Sequence, residues 1–237
     1  MPEAPAGRPA SPTCRANQAA GYNLQVQIIG LDRAGWPFIL AGVLLAIAGA
    51  WFGGRWWALP GGLLALAMVF FFRDPERALP SDQSLIVSPA DGTVIAVGPA
   101  GADAPPGTWQ QITIFLSPLD VHVNRSPVSG RVIRVTHKVG KFLPAYKLES
   151  GAVNEQSEIW VDHNGQIVVF RQVVGLLARR VVTRVREGDE LVVGQRVGVM
   201  KFGSRMDVFL PPSLPVRVRK ADKVAAGKTV LAQWDAR

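Results

Sequence analysis

Two uncharged apolar runs, residues 36–52 and 56–72, are separated only by Gly53-Gly54-Arg55. This doubling limits what the chain can fold into more than any other feature. Each run is 17 residues long, the lower limit for a helix that crosses the hydrocarbon core of a bilayer. A three-residue link permits nothing but a tight helical hairpin, so both flanks must emerge on one side. Trp36, Trp51, Trp56 and Trp57 stand at the ends of the runs, where an indole is comfortable between lipid and water. The runs begin too late, and are doubled, for a secretory signal peptide. Arg33 precedes the pair and Arg73 and Arg77 follow it, against Arg55 at the tip, which puts the flanks on the cytoplasmic side of the cell membrane. Residues 34–77 therefore read as a membrane anchor. A full crossing and a monotopic dip both fit this length, and a buried core hairpin of a soluble domain is the competing reading.

The flanks of the anchor are unlike each other. Residues 1–33 form a leader rich in Pro, Ala and Gly over its first 21 positions, a composition expected to be disordered, then a segment at 22–29 that alternates enough for a strand or short surface helix. Its Cys14 is the only cysteine, so no disulfide supports the fold and the chain suits a reducing compartment. On the other side, Arg73-Asp74-Pro75-Glu76-Arg77 is a charged knot whose proline stops the preceding helix. It falls where headgroups lie, so Arg73 and Arg77 are candidates to hold a lipid phosphate. The formal charge of +8 calls for an anionic partner. Nucleic acid and an anionic membrane surface share that sign, and the anchor selects the membrane, with no nucleic acid expected.

From residue 78 to 237 the pattern changes to short Val/Ile/Thr-rich runs punctuated by Gly, Pro, Asn and Asp. This predicts a mainly β domain of sandwich or barrel type, with helical periodicity only around residues 145–150. An internal echo runs through it: Ser88-Pro89-Ala90-Asp91-Gly92-Thr93-Val94-Ile95 reappears as Ser126-Pro127-Val128-Ser129-Gly130-Arg131-Val132-Ile133. Asp91 stands where the second copy has Ser129, so a carboxylate occupies a turn that does not require one. A further hairpin around Glu187-Gly188-Asp189 resembles those of lipoyl- and biotinyl-carrier domains.

The chemistry converges on Gly203-Ser204, a glycine followed by a hydroxyl residue between two strand-like runs. Glycine has no Cβ and leaves its carbonyl open to the neighbouring Oγ. Of the three histidines, His163 sits in a polar hairpin tip and His137 on an alternating strand, without metal-ligand spacing, so no metal site is expected. His122, with Asp91, is the acid/base equipment left for Ser204. Three readings stay open on these residues: self-cleavage at Gly203-Ser204, a serine hydrolase using Asp91, His122 and Ser204 but lacking a Gly-x-Ser-x-Gly elbow, and a carrier domain modified at Lys201.

Ser88-Pro89-Ala90-Asp91-Gly92, Leu116-Ser117-Pro118-Leu119-Asp120-Val121-His122, Asn154-Glu155 and Phe202-Gly203-Ser204, together with the charged knot after an apolar anchor, resemble the short, pyruvoyl-dependent phosphatidylserine decarboxylases. The resemblance implies a proenzyme that cuts itself between Gly203 and Ser204. The large chain, 1–203, would keep the anchor. The small chain, 204–237, would begin with a covalent pyruvoyl group made from Ser204, forming a Schiff base with the serine amine of phosphatidylserine. The two chains would remain a heterodimer, with higher oligomers open. His122 would protonate the decarboxylated product and Asp91 would assist. Asn154, Glu155, Arg73 and Arg77 would contact the lipid. The longer members of the family carry a second histidine three residues after the first, where this chain has Arg125.

Overall fold

The computed structural model describes residues 30–82, 84–176, 181–201 and 204–234. The leader with Cys14, the segment 22–29, and Phe202 and Gly203 lie outside the described residues. Both apolar runs are helical, α1 over Trp36–Gly53 and α2 over Leu59–Phe71, joined through a 3-10 turn at Arg55–Ala58. Each helix has a proline in its first turn, where the missing N–H costs nothing. The two helices touch backbone to backbone. A Cβ added to Gly61 would lie 2.2 Å from the Ala46 nitrogen, and one on Gly42 2.7 Å from the Ala65 nitrogen, the small-residue packing found between membrane helices.

Their outer faces are bare. Leu40, Leu44, Leu45 and Ile47 are more than half exposed, and Trp51 and Phe52 at the tip are 83% and 88% exposed. A continuous apolar surface of this kind is not left in water by a monomeric soluble protein, so the hairpin is not the core of the β domain. The helical stretch Arg33–Gly53 is long and apolar enough to cross a membrane. Its partner α2 has 13 residues and rises only about 20 Å.

The β domain follows in chain order: β1 Leu85–Val87, β2 Gly92–Pro99, β3 Gln110–Leu116, β4 Val123–Arg125, β5 Gly130–Lys138, the short α3 Ser150–Val153, β6 Gln156–His163, β7 Gln166–Val174, β8 Val181–Thr183, β9 Glu190–Leu191, β10 Arg196–Met200, β11 Ser204–Leu210, β12 Lys223–Val224 and β13 Val230–Gln233. Eight strands form one antiparallel sheet in the order β12-β2-β3-β11-β7-β6-β5-β9, flanked by a three-stranded sheet β4-β10-β8 and the pair β1-β13. The inner face of the large sheet closes over Ile112, Ile114 and Leu116 of β3, Ile159 and Val161 of β6, Val168 and Phe170 of β7, and Met206, Val208 and Leu210 of β11. Their alternate positions along each strand are the period-2 pattern that marked the region as β.

The internal echo is an approximate two-fold repeat of structure. Ser88 Oγ donates to the Ala90 carbonyl and Ser126 Oγ to the Val128 carbonyl. The Val87 N–H donates to Pro127 O and, reciprocally, Arg125 N–H to Pro89 O. Gly92 and Gly130 open β2 and β5 with positive φ, and each strand is bulged at the same offset, after Val94 and after Val132. The repeat extends to a pair of turns that the sequence pattern leaves obscure. Arg186-Glu187-Gly188-Asp189 and Arg219-Lys220-Ala221-Asp222 make the same Asp side-chain cap, 2.8 Å in both. They dock on Val132 and Val94 through matching backbone bonds. Two interlocked copies thus place β7 and β11 at the centre of the sheet.

The charged knot joins the helical hairpin to this domain. Buried Asp74 accepts Arg125 at 3.2 Å and Arg196 at 2.6 Å, Glu76 accepts Arg196 at 2.9 Å, and upstream Asp32 pairs with both terminal nitrogens of Arg184 at 2.6 Å. Buried carboxylates are tolerable only when paired and hydrogen-bonded, so these contacts fix the hairpin to the β domain in one orientation.

Candidate active site

Ser204 is the first residue of β11, paired with Leu116 on β3 and Val174 on β7. It is fully buried, and its Oγ has no hydrogen-bond partner among the described residues. An orphaned buried hydroxyl costs about 1–3 kcal/mol, and chemistry is one of the few reasons to keep one. The next side chain points to the opposite face of the strand. Arg205 is buried there, donating to Asp207 Oδ1 at 2.7 Å and to the Leu148 carbonyl at 2.8 Å. Gly203, the expected acyl side of the cut, lies outside the described residues.

His122 follows a turn closed by Asp120, whose Oδ2 accepts the Ser117 N–H at 2.8 Å. Its ring is 1% exposed and lies against Phe71, the last residue of α2, with ring centroids 4.1 Å apart. The ring Nδ1 is 2.9 Å from the Asp120 carbonyl. A carbonyl can only accept, so Nδ1 carries the proton and Nε2 is the basic nitrogen of the ring. Burial pushes the imidazole down to about 4, opposed by the hydrogen bond to Asp120 and by the Asp120 and Asp91 charges, and assisted by Arg73. At neutral pH the ring is therefore an uncharged base. The backbone carbonyl of His122 accepts from the Met200 N–H at 3.2 Å, which ties this turn to the end of β10, just before the Gly203-Ser204 bond.

Asp91 acts on His122 through space. Its two oxygens are occupied by Arg77, at 2.6 and 2.7 Å, and Oδ1 also accepts the Ala226 N–H at 2.8 Å. Arg77 further donates to the Ala226 carbonyl, and its side chain is 7% exposed. The phosphate contact expected of Arg77 thus meets a guanidinium already committed to a carboxylate. Arg73 likewise donates to the carbonyls of Phe70 and Leu119 and lies over the Phe70 ring.

Asn154 is fully buried. It donates to the carbonyls of Leu143 and Val174, both at 2.8 Å, and accepts the Leu143 N–H. The Glu155 carbonyl accepts the Val174 N–H, and its carboxylate lies 3.6 Å from His137. Because Val174 pairs with Ser204, this dipeptide braces the strand beside Ser204; a lipid contact through the Asn154 amide would have to break these bonds. Phe71 and Asp120 carry little site signal in the sequence; the Ser117-Pro118-Leu119-Asp120 turn pattern is the one that points to Asp120. Arg125 pairs with Asp74 at the joint between the helical hairpin and the β domain.

A phosphatidylserine decarboxylase family model matches residues 64–232. The chain is 43% identical to a phosphatidylserine decarboxylase proenzyme of Solibacter usitatus over 184 residues, 78% of this chain and 87% of the relative. It is 41% identical to one of Geobacter metallireducens, covering 83% and 93%, and 39% identical to one of Nitrosomonas eutropha, covering 86% and 95%. The chain is a member of the phosphatidylserine decarboxylase family.

Proposed function

We propose that this protein is a self-processing enzyme that converts phosphatidylserine to phosphatidylethanolamine and CO2 in phospholipid synthesis. The observation that carries this reading is the buried, unpartnered Oγ of Ser204 at the head of β11, beside the turn that carries an uncharged His122. Ser204 Oγ attacks the Gly203 carbonyl while a base takes its proton, and the Gly203–Ser204 amide becomes an ester. Removal of the Ser204 Cα proton then expels the Gly203 carboxylate, leaving a dehydroalanine. Loss of its nitrogen as ammonia, with uptake of water, leaves a pyruvoyl group at residue 204. Neutral His122 with a basic Nε2 is suited to accept the first proton and to manage protons in turnover. Asp91, held by Arg77, contributes negative charge that favours protonated His122.

The pyruvoyl carbonyl supplies the electrophile for the substrate amine and the sink for the electrons released with CO2. The residues fit such a group, because the Ser204 side chain is not anchored by another bond among the described residues and its strand is held on both sides. Residues 34–77 are the anchor and 78–237 the catalytic domain, held at the cytoplasmic face of the cell membrane. The cut yields chains 1–203 and 204–237. In the named strands, β11 pairs with β3 and β7, β12 with β2 and β13 with β1, so every strand of the small chain pairs with the large one and supports a lasting heterodimer.

Intact-mass measurement of purified protein tests the reading. The expected result is two chains, the smaller starting with a blocked residue 204, and CO2 release from phosphatidylserine vesicles. Ser204→Ala should stay uncut and inactive, and a cut Ser204→Ala chain would exclude this mechanism.

A further inference from the structure

We infer that Lys201 binds the phosphodiester of the lipid substrate, an inference that rests on the decarboxylase reading above. The cations nearest the site in sequence patterning are otherwise engaged: Arg77 on Asp91, Arg125 and Arg196 on Asp74, and Arg73 on two carbonyls. Lys201 has no carboxylate partner among the described residues. Its ammonium lies 5.1 Å from the centroid of the Phe38 ring, and Phe38 stacks on Phe72 at the base of the hairpin. A cation resting on an aromatic face is held less firmly than one in a charge-assisted, hydrogen-bonded pair with a phosphate. The contact with Phe38 is thus one a phosphate can displace.

Three independent ties put Lys201 at the junction of anchor and site. It directly follows Met200, whose N–H is held by the His122 carbonyl. It is three residues from Ser204, within about 11 Å along even an extended chain. It also touches the helix that enters the membrane. In phosphatidylserine only two carbons and an oxygen separate the amine nitrogen from phosphorus. A headgroup whose amine reaches residue 204 from a bilayer at the hairpin base must bring its phosphate into this junction, where Lys201 supplies a positive charge.

The test compares mature wild type, Lys201→Gln, Lys201→Arg and Arg33→Gln, the last removing an exposed cation from the anchor entry. Two readouts are taken: the ratio of kcat/KM for phosphatidylserine in neutral-lipid vesicles to that for a phosphate-free O-acylserine, and the calorimetric Kd for glycerophosphoethanolamine. Lys201→Gln should lower the ratio and weaken the Kd by about tenfold or more, with Lys201→Arg restoring most of both and Arg33→Gln changing neither. An unchanged ratio and Kd in Lys201→Gln would overturn the inference while leaving the decarboxylase reading intact. So would a Lys201→Gln chain that fails to cut, which would assign the residue to maturation, or an equal effect of Arg33→Gln, which would assign the effect to general surface charge. Wild type that releases no CO2 from phosphatidylserine would instead sink the reading on which the inference stands.

Discussion

Arg77 and Asp91 meet as a two-pronged ion pair, Nη1 to Oδ1 at 2.6 Å and Nη2 to Oδ2 at 2.7 Å, joining the charged segment that follows the helical hairpin to the turn that opens β2. Loss of one partner leaves a largely buried charge unpaired. Arg77→Gln should therefore lower unfolding free energy by about 2 kcal/mol or more and slow chain cleavage, while the KM of the fraction that matures stays near wild type. Chemical denaturation and a cleavage time course measure both. A raised KM with normal stability would return Arg77 to lipid binding.

His122 sets a pH dependence with a defined sign. Its folded value of about 4 lies below the ordinary 6.5, so between these pH values the unfolded chain binds a proton that the folded chain refuses. This contribution to stability is complete above about pH 6.5, declines as pH falls toward 4, and amounts to about 3 kcal/mol. Imidazole nitrogen shifts should show a neutral ring with the proton on Nδ1 at about pH 5.5. A ring half-protonated near pH 6.5 would contradict the burial argument.

Neighbouring glycines in α2 should respond oppositely. A Cβ on Gly61 meets the Ala46 backbone at 2.2 Å, whereas one on Gly62 meets nothing within 4 Å. Gly61→Val should force the helices apart and cost about 1–3 kcal/mol. Gly62→Ala should be neutral or stabilise by up to about 1 kcal/mol. Thermal unfolding in detergent, with cysteine cross-linking between α1 and α2, distinguishes the two.

Asn154→Ala should act on stability more than on substrate. It leaves the Val174 and Leu143 carbonyls and the Leu143 N–H without their amide partner, a loss of about 2–3 kcal/mol. Cleavage should slow, since Val174 pairs with Ser204, and KM for vesicles should hold. A selective rise in KM at full stability would show lipid contact instead.

Much of this was legible in the sequence. The hairpin follows from the length of two apolar runs, and the β domain from alternation and turn residues. Half of the two-fold repeat is visible in Ser88-Pro89 and Ser126-Pro127. The other half is not, because Ala221 takes a positive φ of 77° where its counterpart is Gly188 at 92°; the backbone repeats while the residue type does not. Long-range pairing is equally silent. Nothing local links Asp74 to Arg196 or Arg77 to Asp91, and the group orienting His122 is a backbone carbonyl, which every residue possesses.

The central position of β11 has a consequence for the life of the protein. Before the cut, folding is unimolecular and the strand is drawn between β3 and β7 by its own chain. After the proposed cut before Ser204 the instructions for the sheet would be divided between two polypeptides, and a denatured mature enzyme would have to find its partner by diffusion. The finished catalyst would then be a one-way product, held by the barrier to extracting a middle strand rather than by a reversible folding equilibrium. Its useful lifetime should be set by the rate of unfolding, and lost molecules should be replaced by synthesis, not by refolding.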